Sequence, residues 1–244
     1  MWTEVGTYAL GLGSGVGVTL IEPVNRWIGR VGRRASSDRG LQAHVESDPA
    51  VIWAGMPDWI GFHYFFPGQV PAEAPPASPR DWRTWAYQRG GYDLQQSTVR
   101  LTLVGTAPVT AVVETPIVLA VGADLPEGDR VVHPVGGAEV QPRSFDVDLD
   151  TFGPEHPIVQ LVAEGGESPS GPLSWSIARN EAQQILIQVR SRTPVLYRWT
   201  ARIPVLIDGS RQYLDVDDHG EPFVFAGGEL DAWKRWDGSE WGFA

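Results

Sequence analysis

Cysteine is absent from all 244 residues. That absence excludes disulfides, thiolate metal ligands and a cysteine nucleophile together. It also removes the stapling that small secreted domains use. Lysine is nearly absent: Lys234 stands alone, which argues against lysine-dependent chemistry. The five histidines, His44, His63, His133, His156 and His219, are scattered, and no two share a metal-ligand spacing. No H-E-x-x-H, G-x-S-x-G or G-x-x-x-x-G-K-[ST] motif occurs, so the common zinc-protease, esterase and phosphate-loop arrangements are missing. No cofactor is expected, and the chain reads as non-catalytic.

Positive charge is also scarce, and it is unevenly placed. The net charge is -11. Residues 1–34 carry Arg26, Arg30, Arg33 and Arg34 against Glu4 and Glu22, whereas the remainder carries 15 basic and 28 acidic side chains. A broad nucleic-acid surface needs clustered Lys and Arg to neutralise phosphate, so nucleic acid is not an expected partner. The acidity of the body serves solubility.

Val5 to Ile21 holds 17 residues without a charge, the lower end of the length that crosses a bilayer core. Trp2 and Trp27 flank it, and the arginines follow on one side only. This pattern predicts a single membrane-spanning helix over 5–21, with the segment after it on the cytoplasmic face. Gly11, Gly13, Gly15 and Gly17 supply two four-residue spacings through which a second helix could approach closely, so self-association is an expectation. The rival is a helix packed on the protein's own core. The glycines lack G-x-G-x-x-G spacing and follow no strand, so a dinucleotide loop is excluded.

Residues 35–95 read as an irregular segment, strongly aromatic over 51–66, where one or two strands could lie, and rich in proline over 67–79. The run Arg80 to Asp93 allows one helical turn that brings Trp82 and Trp85 together. From Thr98 the rhythm changes to period two. Val99, Leu101 and Leu103 alternate with polar neighbours, as do Phe145, Val147 and Leu149, while Ile185, Ile187 and Val189 alternate with Leu186, Gln188 and Arg190. Such alternation buries one face of a strand and wets the other. About eight strands punctuated by Gly- and Asp-rich turns predict a mainly β chain. The expected fold is an antiparallel Ig-like β-sandwich over 96–226, preceded by one N-terminal helix in 1–34. No helical period separates the strands, which excludes a parallel α/β sheet.

The runs Trp82-RTWAYQRGG, STVRLTLVG, AVVETPIVLAV, RSFDVDLD, YRWTARIPVLI and YLDVDDHGEPF resemble an uncharacterised β-rich module of actinobacterial proteins. The resemblance covers roughly residues 80–226. It implies a C-terminal β-rich fold and no activity.

Asp215, Asp217, Asp218 and Glu221 are the weak candidates for a calcium site, because they gather oxygen ligands. Their spacing is not that of a calcium loop, and a solvated turn is the simpler reading. Residues 227–244 form a Trp-rich tail. Trp233, Trp236 and Trp241 are the candidates for contact with a partner, or for docking back on the sandwich. Together these features predict a membrane-anchored binding or accessory protein. The alternatives are a structural component of a larger assembly and a hydrolase built on carboxylates.

Overall fold

The computed structural model describes residues 34–37, 40–53, 62–106, 108, 110–133, 144–151, 158–160, 162–163, 174–229 and 231–243. The expected membrane helix over 5–21, with Gly11, Gly13, Gly15 and Gly17, lies outside them. Among the described residues no helix is long and apolar enough to cross a membrane.

In chain order the elements are β1 (Arg34–Ser37), β2 (Leu41–Glu46), α1 (Pro49–Ile52), β3 (Phe62–Pro67), α2 (Trp82–Gln88), β4 (Tyr92–Leu94), β5 (Gln96–Gly105), β6 (Ala111–Glu114), β7 (Ile117–Asp124), β8 (Gly128–His133), β9 (Ser144–Asp148), β10 (Ile158–Gln160), β11 (Val162–Ala163), β12 (Ser174–Ile177), β13 (Ala182–Arg190), β14 (Val195–Ile207), β15 (Ser210–Val216), β16 (Phe223–Ala226), β17 (Lys234–Trp236) and β18 (Trp241–Phe243). The described strands form two sheets. One runs β1-β2-β5-β13-β9-β11. The other runs β10-β7-β14-β16-β4-β3-β8-β17-β18, with β15 and β6 also on β14 and β12 on β6.

The period-two sequence pattern fixes which rows meet. Val99, Leu101 and Leu103 of β5, Ile185, Ile187 and Val189 of β13, and Phe145 and Val147 of β9 turn inward from the first sheet. They join the row Tyr197, Trp199, Ala201, Ile203, Val205 and Ile207 of β14, with Phe223 and Phe225 of β16, in a single core. Both sheets therefore contribute one apolar face, which is the sandwich principle.

β14 is the spine of the second sheet. It pairs with β15 from Ala201 to Ile207 and with β16 from Leu196 to Trp199. On its other edge it pairs with β7 up to Arg202 and with β6 from Val205. Pro204 lies at that change of partner, where its missing N–H costs no bond to β6 or β7.

Three features differ from the sequence reading. The pairing is not wholly antiparallel: β9 with β13, β4 with β16 and β8 with β17 run parallel. Each of these pairs is remote in sequence, which leaves the long connection that parallel neighbours require. Second, regular elements occur among the described residues of 35–95. β2 pairs with β5 in the first sheet, and β3 and β4 continue the second sheet, so the cut at residue 96 does not separate two bodies. Third, Val51 and Ile52 belong to a helical turn and not to a strand. Asp48 caps it by accepting from the Ala50 N–H at 2.9 Å, and Pro49 occupies its first position. Both residues favour helix initiation.

Gly105 shows how closely the edges are fitted. A Cβ there would lie 2.1 Å from the Ala178 carbonyl oxygen. Gly105→Ala is expected to destabilise the fold by about 1–3 kcal/mol, the usual cost of overpacking. Urea unfolding of both proteins checks this.

Candidate functional site

Outside the main core lies a second, smaller one built from aromatic side chains. Tyr64 and Phe66 of β3, Val70, Trp82, Trp85 and Ala86 of α2, and Val131 of β8 are buried together. Trp53, Tyr87 and Trp241 pack against them. The expected turn that pairs Trp82 with Trp85 is α2, and their rings lie 5.7 Å apart. Trp241, from the C-terminal hairpin, stacks on Trp85 at 6.1 Å and meets Trp82 edge-on at 6.3 Å. Trp236 abuts Trp241 at 5.3 Å.

The Pro-rich residues 71–78 lie across this cluster without forming a helix or strand. The Trp82 indole N–H donates to the Pro76 carbonyl at 2.9 Å, and the Trp241 indole N–H donates to the Pro71 carbonyl at 2.8 Å. Buried indoles need such acceptors. Arg89 donates to Glu73, holds its carboxyl below the usual range and lies over the Trp85 ring. Asp129 of β8 binds both neighbouring segments: it accepts from the Val70 N–H at 2.8 Å and from Lys234 at 2.7 Å. The one lysine of the chain thus tethers the tail to the body.

Of the three tail tryptophans, Trp241 docks back on the body, one of the two placements expected for the tail. A hairpin edge beside a buried Trp pair gives it more surface to cover than solvent would. Trp233 and Trp236 are half-buried. Phe243, counted with these tryptophans among the apolar residues of the tail, is 78% exposed.

The other side of α2 carries a polar group that sequence reasoning missed. Tyr87 donates to Asp93 at 2.9 Å, and the Arg83 guanidinium lies 4.3 Å from the Tyr87 ring centre. The Arg83 Nε is shut off from solvent and makes no hydrogen bond. Burial pushes the Asp93 carboxyl above the ordinary range, and the nearby Arg83 charge and Tyr87 hydrogen bond only partly offset it. Burial raises the Tyr87 hydroxyl as well. Asp48 and Tyr64 also act on Arg83 electrostatically. The available signal was the four-residue spacing of Arg83 and Tyr87, which puts both on one helix face. Asp93→Ala would leave the Arg83 charge and the Tyr87 hydroxyl without their carboxylate. It is expected to cost about 1–3 kcal/mol, the scale of leaving a buried polar group unsatisfied, as read by thermal or urea unfolding.

The acidic candidates separate. Asp215 pairs with Arg202 at 2.8 Å on the wet face of the sheet. Asp217 accepts from the Gly220 N–H at 2.7 Å, and Asp218 bridges backbone-to-backbone with Glu221. His219 and Gly220 take positive φ values of 58° and 91°. The segment is a tight turn between β15 and β16. Among the described residues no group of three or more His, Cys, Asp or Glu could hold a metal ion.

Asp150, two residues past the end of β9, is a structural clamp. Its carboxylate accepts from Ser191 Oγ at 2.6 Å, the Arg192 N–H at 2.7 Å, Thr193 Oγ1 at 2.8 Å and the Thr193 N–H at 3.2 Å. Burial alone would raise its pKa, but these bonds together outweigh burial and hold the carboxyl low. A depressed folded pKa means stability that is present above the unfolded value and lost as pH falls through the folded one. Asp150→Asn is therefore expected to lose about 1–2 kcal/mol at neutral pH. Its unfolding midpoint should also vary less than the wild type's below the ordinary carboxylate pKa. A urea series across acidic pH measures both effects.

Comparison with family models, curated proteins and solved structures finds no match to this chain.

Proposed function

We propose that the chain is a non-catalytic binding or accessory protein whose Ig-like β-sandwich presents a Trp-rich pole, held at the cytoplasmic face of a membrane by residues 5–21. The observation that carries the binding reading is the exposed Phe243 ring on the hairpin whose Trp241 stacks on Trp85 and meets Trp236 edge-on. Large aromatic rings supply much of the energy at protein contacts, and apolar rings gathered at one place on a surface mark interaction sites where a lone exposed ring does not. The described polar clusters serve to hold segments together: Asp129 binds the strap and tail, and Asp150 binds residues 191–193. The membrane reading rests on the uncharged 17-residue run and its one-sided arginines.

Vesicle co-sedimentation tests the anchor. The full chain is expected to pellet with phosphatidylcholine–phosphatidylglycerol vesicles, and residues 35–244 to stay in the supernatant. Full-chain protein that remains soluble and monomeric without detergent or lipid would refute it. If instead it forms a discrete oligomer through residues 1–34, the structural-assembly alternative gains.

A further inference from the structure

The Pro-rich strap meets its tryptophans as a ligand meets a receptor. Two indole N–H groups donate to carbonyls of Pro71 and Pro76, five residues apart. Between these contacts, Glu73 is matched by Arg89, which itself lies over the Trp85 ring. Only Val70 enters the aromatic cluster as a buried side chain, and residues 72–74 and 77–78 are exposed. The strap is therefore held mainly through its carbonyls, one carboxylate and the surface of its prolines. Proline-containing segments suit this mode because ring-fixed φ leaves little chain entropy to lose, and aromatic-lined grooves are their usual receptors.

We propose that the surface of Trp82, Trp85, Trp241 and Arg89 is a receptor for an extended, proline-containing peptide of a partner protein, occupied in cis by residues 71–78. The partner peptide carries a carboxylate two residues after its first groove proline, to meet Arg89. The cis strap competes as a tethered ligand, whose effective concentration for a short linker is on the order of millimolar. The Lys234–Asp129 pair holds Trp241 in place and so completes the receptor. The inference deepens the binding reading of the Trp-rich pole and is independent of the membrane anchor.

The test uses the full chain and a fluorescein-labelled peptide, GQVPAEAPPASPR, which copies residues 68–80. Glu73→Arg in the protein opposes like charges at Arg89 and loosens the cis strap at an exposed position. Fluorescence anisotropy is expected to show at least tenfold tighter peptide binding to Glu73→Arg than to the wild type. A second peptide with Arg in place of its Glu should bind at least tenfold more weakly to Glu73→Arg. Circular dichroism and thermal melting confirm that the variant is folded. A folded Glu73→Arg protein that binds no more tightly than the wild type overturns the proposal, as does equal binding of both peptides. A concentration-dependent wild-type dimer that the peptide dissolves would name a second copy as the occupant and overturn the partner assignment. Either failure leaves the broader binding reading standing, because Phe243 lies outside the receptor. That reading is lost only if a partner isolated with the intact protein binds equally to Phe243→Ala and Trp236→Ala.

Discussion

Backbone amides and carbonyls removed from water must find partners, and β14 meets that demand for four other strands. Its alternate side chains, from Tyr197 to Ile207, simultaneously provide the main inward row of the second sheet. Pairing and burial therefore depend on the same thirteen residues. A change of register there would turn the inward row toward solvent. The opposite sheet has no comparable spine; its central pair, β5 and β13, carries the facing row of Val99, Leu101, Ile185 and Ile187.

A second constraint operates at the pole where the chain's aromatic residues collect. α2 is only seven residues long and has no side-chain cap at its start. A helix of that length is not stable by itself. It persists because one side buries Trp82, Trp85 and Ala86 and the other holds Arg83 and Tyr87 against Asp93. The strap, the tail and the helix are thus mutually dependent, and none has a core of its own.

Where hydrophobic rhythm was strong, the sequence was readable. β5, β9 and β14 follow their alternation closely, because one face of each meets the opposing sheet. β13 departs from it: Leu186, expected on the wet face, is buried. Its cross-strand neighbour Arg100 reaches over to donate to the Ile52 carbonyl, so α1 covers that part of the outer surface. Tertiary cover of this kind leaves no period in the sequence. The same holds for β3 and β4, which are short and flanked by proline and glycine, and whose sheet membership comes from distant partners. The Trp pair of α2 was legible from its three-residue spacing. Asp93 was not, since a lone aspartate in a short strand looks like any solvent-facing residue until Tyr87 and Arg83 close over it. The tail's aromatic content signalled docking, but only coordinates could divide the half-buried Trp241, docked on Trp85, from the exposed Phe243.

The single lysine has a practical consequence. Lys234 is the sole side-chain amine of the protein, and its ammonium sits 2.7 Å from Asp129, largely shielded from water. Amine acylation at that position removes the charge and, with it, the tether. A reagent that modifies side-chain amines therefore reports one event, the lifting of the C-terminal hairpin, and the rate at which Lys234 reacts measures how often the tail leaves the tryptophans it covers.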